Sequence, residues 1–348
     1  MSFLNAVDDA STRDELREAL RRTQRQLKQA KNRNEELVEA TIQAAKDATL
    51  AMGPIEVIGI PDTFNPELAN TEVALWDTGD WQGSKVTTSY NQQVARERVR
   101  RFVKKAQRYT DMHRKTINVE DAVILFGGDM VEGLFNFPTQ PFEVDATIFE
   151  QYVWVSRLIV EVVQSALATY RRVTVSAEWG NHGRMGSKRD AVPRGDNIDR
   201  MCFHLARELL MDEVIAGRLI WPDSDEDVQR IEIGNYRALN MHGDEVGRNG
   251  FASPMTIRSH VERWKSGAYK VNGKIWPFRD VYVHHYHTHN EWSLADGEGM
   301  LFQTGSTESD NRYANIGMAA DAIPSQRVHF IDPVKGRVTA QYKVYLDD

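Results

Sequence analysis

Four segments of this sequence share an arrangement that constrains the fold more than any other feature. In each one an apolar, β-branched run ends and Asp, Asn or His follows among small residues. The segments are VALWDTGDWQ at 73–82, VILFGGDMVEG at 123–133, VSAEWGNHGR at 175–184 and VHHYHTH at 283–289. Open α/β sheets place their sites at the carboxyl ends of strands. The pattern therefore predicts a layered α/β fold in which these polar side chains converge.

The residue types in these segments predict a metal site. Carboxylate, amide and imidazole groups form a mixed oxygen and nitrogen ligand set, which suits Mn, Fe, Zn or Mg. The single cysteine, Cys202, cannot supply a thiolate cluster or an intrachain disulfide. Two ions about 3.5–4 Å apart could hold the attacking and leaving oxygens of a phosphoryl displacement.

The order of the motifs makes the prediction more specific. Over about residues 71–346 the sequence resembles the calcineurin-like metallophosphoesterase superfamily, whose signature runs Asp-x-His, Gly-Asp-x-x-Asp/Glu, Gly-Asn-His, a lone His and Gly-His-x-His. The resemblance implies a layered β-sandwich flanked by helices and two divalent metal ions, of which Mn is favoured over Mg, Fe or Zn. It also implies hydrolysis of phosphodiester bonds by a metal-activated water.

The second and third motifs match the family closely. Gly128 and Asp129 match the second, so the resemblance implies that Asp129 bridges both metals. Asn181 and His182 match the third. By the same resemblance Asn181 is a ligand of the second metal, and His182 contacts the phosphate or protonates the leaving group.

The last two motifs supply imidazoles. The resemblance assigns His242 and His287 to the second metal and His289 to the first. Two acidic residues are expected beside these groups without binding metal. Glu132 in the second motif would orient a ligand or cap a helix, and Asp244 beside His242 would either support a ligand or be a plain turn residue. His284 and His285 precede the last motif and are interpreted as core or surface residues of a predicted strand at 280–285.

The first motif departs from the family pattern. Asp80 is followed by Gln82 where the family has His, and Asp77 is an alternative position for the first ligand. Asp80 is preferred because the residues after it resemble phage-type members related to nuclease subunits of DNA-repair complexes; these are Gly83, Lys85 and Tyr90. An amide oxygen is a weaker ligand than imidazole, so we expect the first metal to be held less tightly.

Outside this region the sequence predicts one long helix. Residues 1–52 contain no proline or glycine and are rich in helix-forming residues, while 53–70 read as a linker and 71–348 as the catalytic domain. Heptad-like positions along this helix predict a coiled coil for a homodimer or a helical partner, or else a helix lying on its own domain. The heptad-like positions are Leu16, Leu20, Thr23, Leu27, Ala30, Asn34 and Leu37.

Charge and hydropathy bear on location and partners. The formal charge is −7, so the whole chain does not attract nucleic acid. The sequence has neither a secretory signal core nor an apolar stretch long enough to cross a membrane, which predicts a cytoplasmic protein, in the host cytoplasm if the source is viral.

Three functions follow from these features. The favoured one is a nuclease acting on DNA, with Arg184 and Arg194 in the loop after His182 holding substrate phosphates. The second is a phosphodiesterase or phosphatase for small nucleotides. The third is a scaffold protein with a degenerate metal site and a coiled-coil interaction helix, suggested by the histidine missing from the first motif.

Overall fold

The computed structural model describes residues 59–186, 193–246, 252–310 and 323–347. The predicted N-terminal helix, its coiled coil and the first part of the predicted linker lie outside these residues. Between Gly59 and Asn70 the chain has no regular strand or helix. In the described part of the chain, no helix is long and apolar enough to cross a membrane.

A six-stranded sheet forms one layer, with the strand order β13-β12-β1-β2-β3-β4. Its strands are β1 (Val73–Thr78), β2 (Asp121–Phe126), β3 (Arg172–Ala177), β4 (Leu219–Ile220), β12 (Ser325–Asp332) and β13 (Arg337–Tyr345). Strands β1 to β4 run parallel, and β12 and β13 add an antiparallel edge. The parallel strands are buried apolar runs, as a sheet covered on both faces requires.

A five-stranded sheet forms the second layer, in the order β10-β11-β9-β6-β5. It contains β5 (Gln229–Ile233), β6 (Tyr236–Met241), β9 (Asp280–Val283), β10 (Asn290–Ser293) and β11 (Met300–Gln303). Strands β6 and β9 are parallel neighbours. A short hairpin of β7 (Lys270–Val271) and β8 (Lys274–Ile275) stands apart.

The two sheets pack face to face, because one apolar cluster contains residues of both. Leu75 and Val123 come from the first sheet, and Ala238 and Phe302 come from the second. A separate cluster covers the other face of the second sheet. This arrangement agrees with the predicted layered β-sandwich, although a sandwich alone is shared by many unrelated functions.

The described helices are α1 (Gln92–His113), α2 (Ile148–Thr169), α3 (Ile198–Leu209), α4 (Met211–Ile215) and α5 (Pro254–Arg263). Helix α1 begins where the Asn91 side chain accepts the Val94 amide, and α2 begins with a complete capping box of Thr147 and Glu150. Trp76 of β1 donates to the Tyr170 hydroxyl at the end of α2. Helix α2 therefore packs on the first sheet.

The cations of α1 mostly serve the fold. Arg98 donates to the Thr307 carbonyl, Arg100 pairs with Glu161 and Lys105 donates to the Tyr345 carbonyl. The cation-rich sequence at 96–114 would also suit a surface that binds nucleic-acid phosphates, and these contacts favour a packed helix instead.

Candidate metal centre

Both sheets direct polar side chains to one edge of the sandwich. Asp80, Asp129 and Asn181 follow the parallel strands β1, β2 and β3, and His242 follows β6. The predicted strand at 280–285 ends at Val283. His284 and the residues after it therefore belong to the loop that leaves β9 at this edge.

The backbone at this edge is strained. Of eight non-glycine residues with positive φ in the described part of the chain, five lie here. They are Asp80 (48°), Gln82 (46°), Asp129 (51°), His285 (74°) and His287 (56°). Each such conformation costs on the order of 1–3 kcal/mol and persists where the surroundings enforce it, which is typical of functional sites.

One group of ligand atoms gathers around His242. Its Nε2 lies 3.1 Å from Asn181 Oδ1, 3.2 Å from Asp129 Oδ2 and 3.2 Å from His285 Nδ1. Ligand atoms of Asp129, His242 and His285 all lie within 4.8 Å of one another, and all three residues are buried. The other ring nitrogen, His242 Nδ1, is 2.7 Å from the Gly127 carbonyl. Donation to that carbonyl leaves Nε2 free to bind a metal.

A second group gathers around His287. Its Nε2 lies 3.3 Å from Gln82 Nε2 and 3.8 Å from Asp80 Oδ1. On the other side of the ring, Nδ1 lies 3.1 Å from Glu308 Oε2. A carboxylate behind an imidazole orients the ring and increases its basicity as a ligand.

Asp129 belongs to both groups. Its Oδ2 is 3.2 Å from His242 Nε2 and 3.3 Å from Gln82 Nε2, while its Oδ1 accepts the backbone amide of His182 at 2.7 Å. Burial alone would raise the pKa of Asp129, but His242 and His182 outweigh it and hold the pKa well below its usual range. A carboxylate shared in this way is the arrangement expected of a bridging ligand.

The site fits divalent cations because two of its buried oxygen atoms have no hydrogen-bond partner in the described structure. Among the described residues, Asp80 Oδ1 and Gln82 Oε1 are buried and accept no hydrogen bond. Burial raises the pKa of Asp80, since its charge is removed from water. Unpaired buried charge is costly, and a bound cation would satisfy it. Asp80, Gln82 and His287 would hold one ion, Asn181, His242 and His285 the other, and Asp129 both.

The alternative first ligand, Asp77, is placed behind this site. Its Oδ1 lies 2.9 Å from His284 Nε2, and its Oδ2 accepts the Thr304 hydroxyl. The His284 ring fills a slot against Gly127, where an added Cβ would lie only 2.0 Å from the ring. The structure therefore favours Asp80 over Asp77 at the metal centre. His284 occupies the core, as one of its sequence interpretations has it.

The histidines that lie among the other candidate ligands differ from the pair that the family resemblance implies. The resemblance implies His289 as a ligand of the first metal, but the structure places it near Arg327 and Lys343, where burial and these two cations lower its pKa to about 2. His285, interpreted as a strand residue, lies in the cluster instead. The pair is then His285 and His287, with His287 in the first group rather than the second.

Replacing His285 and His289 separately tests which pair of histidines binds the metals. We expect His285→Ala to lose one tightly bound ion, because His285 Nδ1 faces His242 in the cluster. His289→Ala should keep both ions, since no site residue contacts it in the described structure. Metal content after dialysis against Mn²⁺ measures the difference. Loss of an ion only in His289→Ala would instead support His287 and His289 as the metal-binding pair.

A buried chain of charges supports His182. Its Nδ1 lies 3.1 Å from Glu132 Oε2, and Glu132 Oε1 lies 3.1 Å from Lys85 Nζ. The ring is 18% exposed, and its Nε2 is 4.0 Å from Asp129 Oδ2. Burial alone would lower the pKa of His182, but Glu132 and Asp129 raise it to about 9. Glu132 therefore links the His182 ring to Lys85.

Asp199 connects two of the ligand loops. Its carboxylate accepts the amides of Met130 and Val131 at 3.1 Å and that of Gly180 at 2.9 Å. The sequence Asp-Asn-Ile-Asp at 196–199 fits two roles, helix capping and support of the site. Both are present, because Asn197 caps α3 while Asp199 binds the loops.

The predicted phosphate-binding arginines are already paired. Arg184 forms an ion pair with Asp244. Arg194 contacts Glu178 at 2.6 Å and Glu245 at 3.1 Å, and also pairs with Asp227. Arg184, whose side chain is 34% exposed, can still reach a ligand, but three carboxylates neutralise Arg194. Asp244 pairs with Arg184, and its charge also acts on the His242 imidazole.

Sequence reasoning missed His285 as a candidate ligand and missed Glu308 altogether. The segment His-His-Tyr-His-Thr-His contains two overlapping His-x-His pairs, and the family glycine is missing from both. Knowing that the strand ends at Val283 would have shown which of the two pairs follows it more directly. Glu308 lies 21 residues beyond its partner His287 and carries no local signal.

Comparisons with known proteins find distant structural similarity only. No family model and no curated protein matches this sequence. Vps29 from Entamoeba histolytica, solved with Zn²⁺, is 11% identical with a TM-score of 0.34, covering 78% of this chain and 99% of its own. The phosphoesterase YfcE from E. coli is 14% identical with a TM-score of 0.33, covering 78% and 99%.

A putative 5′-nucleotidase from Staphylococcus aureus is 12% identical with a TM-score of 0.34, covering 80% of this chain and 55% of its own. At these scores the similarities carry no conclusion about activity. A proposal for the activity therefore rests on the chemistry of the site.

Proposed function

We propose that this chain is a calcineurin-like, two-metal phosphoesterase that hydrolyses phosphodiester bonds. The observation that carries the proposal is the position of Asp129 Oδ2, which lies 3.2–3.3 Å from ligand groups of both clusters. Buried, unpartnered Asp80 Oδ1 and Gln82 Oε1 support it. Two bound ions would supply Lewis-acid stabilisation of phosphoryl oxygens and a nucleophile at neutral pH.

The protein residues provide positioning and a proton. His182, with its pKa raised to about 9, carries its proton at neutral pH, and its Nε2 is on the side facing Asp129. Donation from Nε2 to the leaving oxygen would neutralise the charge that develops there. Glu132 stabilises the imidazolium through Nδ1, and Lys85 holds Glu132.

We further propose a nucleic acid, DNA in particular, as the substrate. Support comes from the sequence resemblance to phage-type members with Asp-x-Gln in the first motif. Small nucleotides are the second candidate, favoured by the formal charge of −7 and by the carboxylates that neutralise Arg194.

Hydrolysis assays with Mn²⁺ separate these functions. We expect turnover of bis-p-nitrophenyl phosphate, and faster turnover of single-stranded or duplex DNA than of RNA or mononucleotides. The affinity for DNA should fall steeply with salt, whereas that for a mononucleotide should fall less. Chelation should remove all activity. Tight binding of at most one ion, with no turnover of any substrate, would instead support the scaffold function.

A further inference from the structure

A loop rich in phenylalanine lies directly beside His182. We call residues 133–147 the aromatic loop; its sequence is GLFNFPTQPFEVDAT. Gln140 Nε2 lies 3.3 Å from His182 Nδ1. The Phe137 ring is 5.0 Å from the His182 ring, centroid to centroid. The loop therefore borders the group proposed to contact substrate.

The aromatic loop is held in one conformation by buried hydrogen bonds. Gln140 Oε1 accepts the amides of Asn136 at 2.9 Å and Phe137 at 3.0 Å. Gly133, where the loop begins, passes so close to the His182 carbonyl that a Cβ would lie 2.1 Å from that oxygen. Lys85, which also contacts Glu132, pairs with Glu143 at 2.6 Å. The same residues thus order both the loop and His182.

Phe142 is presented to solvent by this ordered loop. It is 88% exposed, the largest exposed fraction among the large apolar side chains of the described structure. It is two residues from Gln140, so its Cα lies at most about 7 Å beyond that of a residue touching His182. Single exposed apolar side chains are common on protein surfaces. Phe142 differs because it stands on an ordered loop beside His182, where a bound ligand would cover it.

The surroundings of Phe142 indicate the size of that ligand. Pro138, Thr139 and Pro141 are exposed beside it, and the Glu143 side chain is 42% exposed. A single ring among such residues falls far short of the roughly 800 Å² per partner that a stable protein interface buries. It matches one flat ring, and a phenyl group, having no hydrogen-bonding atom, recognises such a ring by stacking.

We propose that Phe142 is a stacking platform for a nucleobase of the substrate, one or two nucleotides from the scissile phosphate. The inference rests on the proposed function and refines its substrate class to strands with unpaired bases. Base–aromatic stacking accepts any base, because every base has a π face. The platform would thereby give affinity without sequence preference at a site where three carboxylates neutralise Arg194.

The test compares two substrates with the Mn²⁺-loaded full chain. One is a short oligothymidylate, and the other has the same length with abasic residues. For Phe142→Ala we expect the oligothymidylate KM to rise roughly 5- to 100-fold with kcat nearly unchanged, as loss of one stacked base predicts. The KM of the abasic strand should change less than about twofold. Phe142→Trp should retain the wild-type KM for the oligothymidylate.

Ile215→Ala is the matched control, because Ile215 is a large apolar side chain that is 77% exposed on α4 and is not one of the site residues. It should not change either KM. Equal effects of Phe142→Ala on both substrates, or no effect on the oligothymidylate, would overturn the platform. So would a change in oligomeric state, which would make Phe142 an interface residue. If the wild type also fails to hydrolyse bis-p-nitrophenyl phosphate, the proposed function itself falls.

Discussion

Replacement of Asp129 by alanine is expected to abolish metal-dependent hydrolysis, with a fall of about 10³-fold or more in kcat. Its Oδ2 lies within 3.3 Å of both Gln82 Nε2 and His242 Nε2, so one substitution removes a ligand from both groups. A metal-supported reaction loses several kcal/mol of transition-state stabilisation without its ion, and each 1.36 kcal/mol is a factor of ten. Steady-state rates and metal content measured together check this.

Two further variants separate charge from shape. Asp129→Asn keeps the size of the side chain but removes its charge, so we expect it also to lose bound metal. Asp225→Ala is the matched control, because Asp225 is largely exposed and pairs only with Arg200 in the described structure. Near wild-type turnover by either Asp129 variant would show that Asp129 is not shared between two ions.

The second large effect is expected on stability. Asp199→Ala should lower the free energy of unfolding by about 3–5 kcal/mol, because it leaves the buried amides of Met130, Val131 and Gly180 without an acceptor. These amides belong to the loops that carry Asp129 and Asn181. Metal affinity should fall with stability, and denaturant unfolding followed by Mn²⁺ titration measures both.

Glu208→Ala provides the comparison on the same helix. Glu208 is exposed on α3, and within the described residues its side chain pairs only with its neighbour Arg207. Its loss should change the free energy of unfolding by less than about 0.5 kcal/mol. An equal effect of both substitutions would mean that the Asp199 contacts are not what joins the two loops.

Much of the architecture follows from local sequence patterns. The apolar runs predict β1, β2 and β3 to within two residues, and similar runs at 229–233 and 300–303 predict two strands that the structure has as Gln229–Ile233 and Met300–Gln303. The amphipathic stretch at 148–170 predicts helix α2, which ends at Thr169. These elements are governed by hydrophobic periodicity and capping, both of which act over a few residues.

The site was predictable where one strand end carries one ligand. Asp129, Asn181 and His242 each stand alone after a strand, so a motif match was enough to place them in the cluster. The first and last motifs offered two candidates each. Whether Asp77 or Asp80 reaches the site, and whether His285 or His289 does, depends on where the strand ends and which way the chain then turns.

The sequence by itself determined which residue types could bind metal, and in which order along the chain they occur. Only the tertiary structure decided which of them meet. The His284 ring packs against Gly127. In this arrangement His285 and His287 lie among the candidate ligands, whereas His289 lies near Arg327 and Lys343. Glu308 and Asp199 reach the site through contacts distant in sequence. Such contacts depend on the packing of two sheets, which no local pattern encodes.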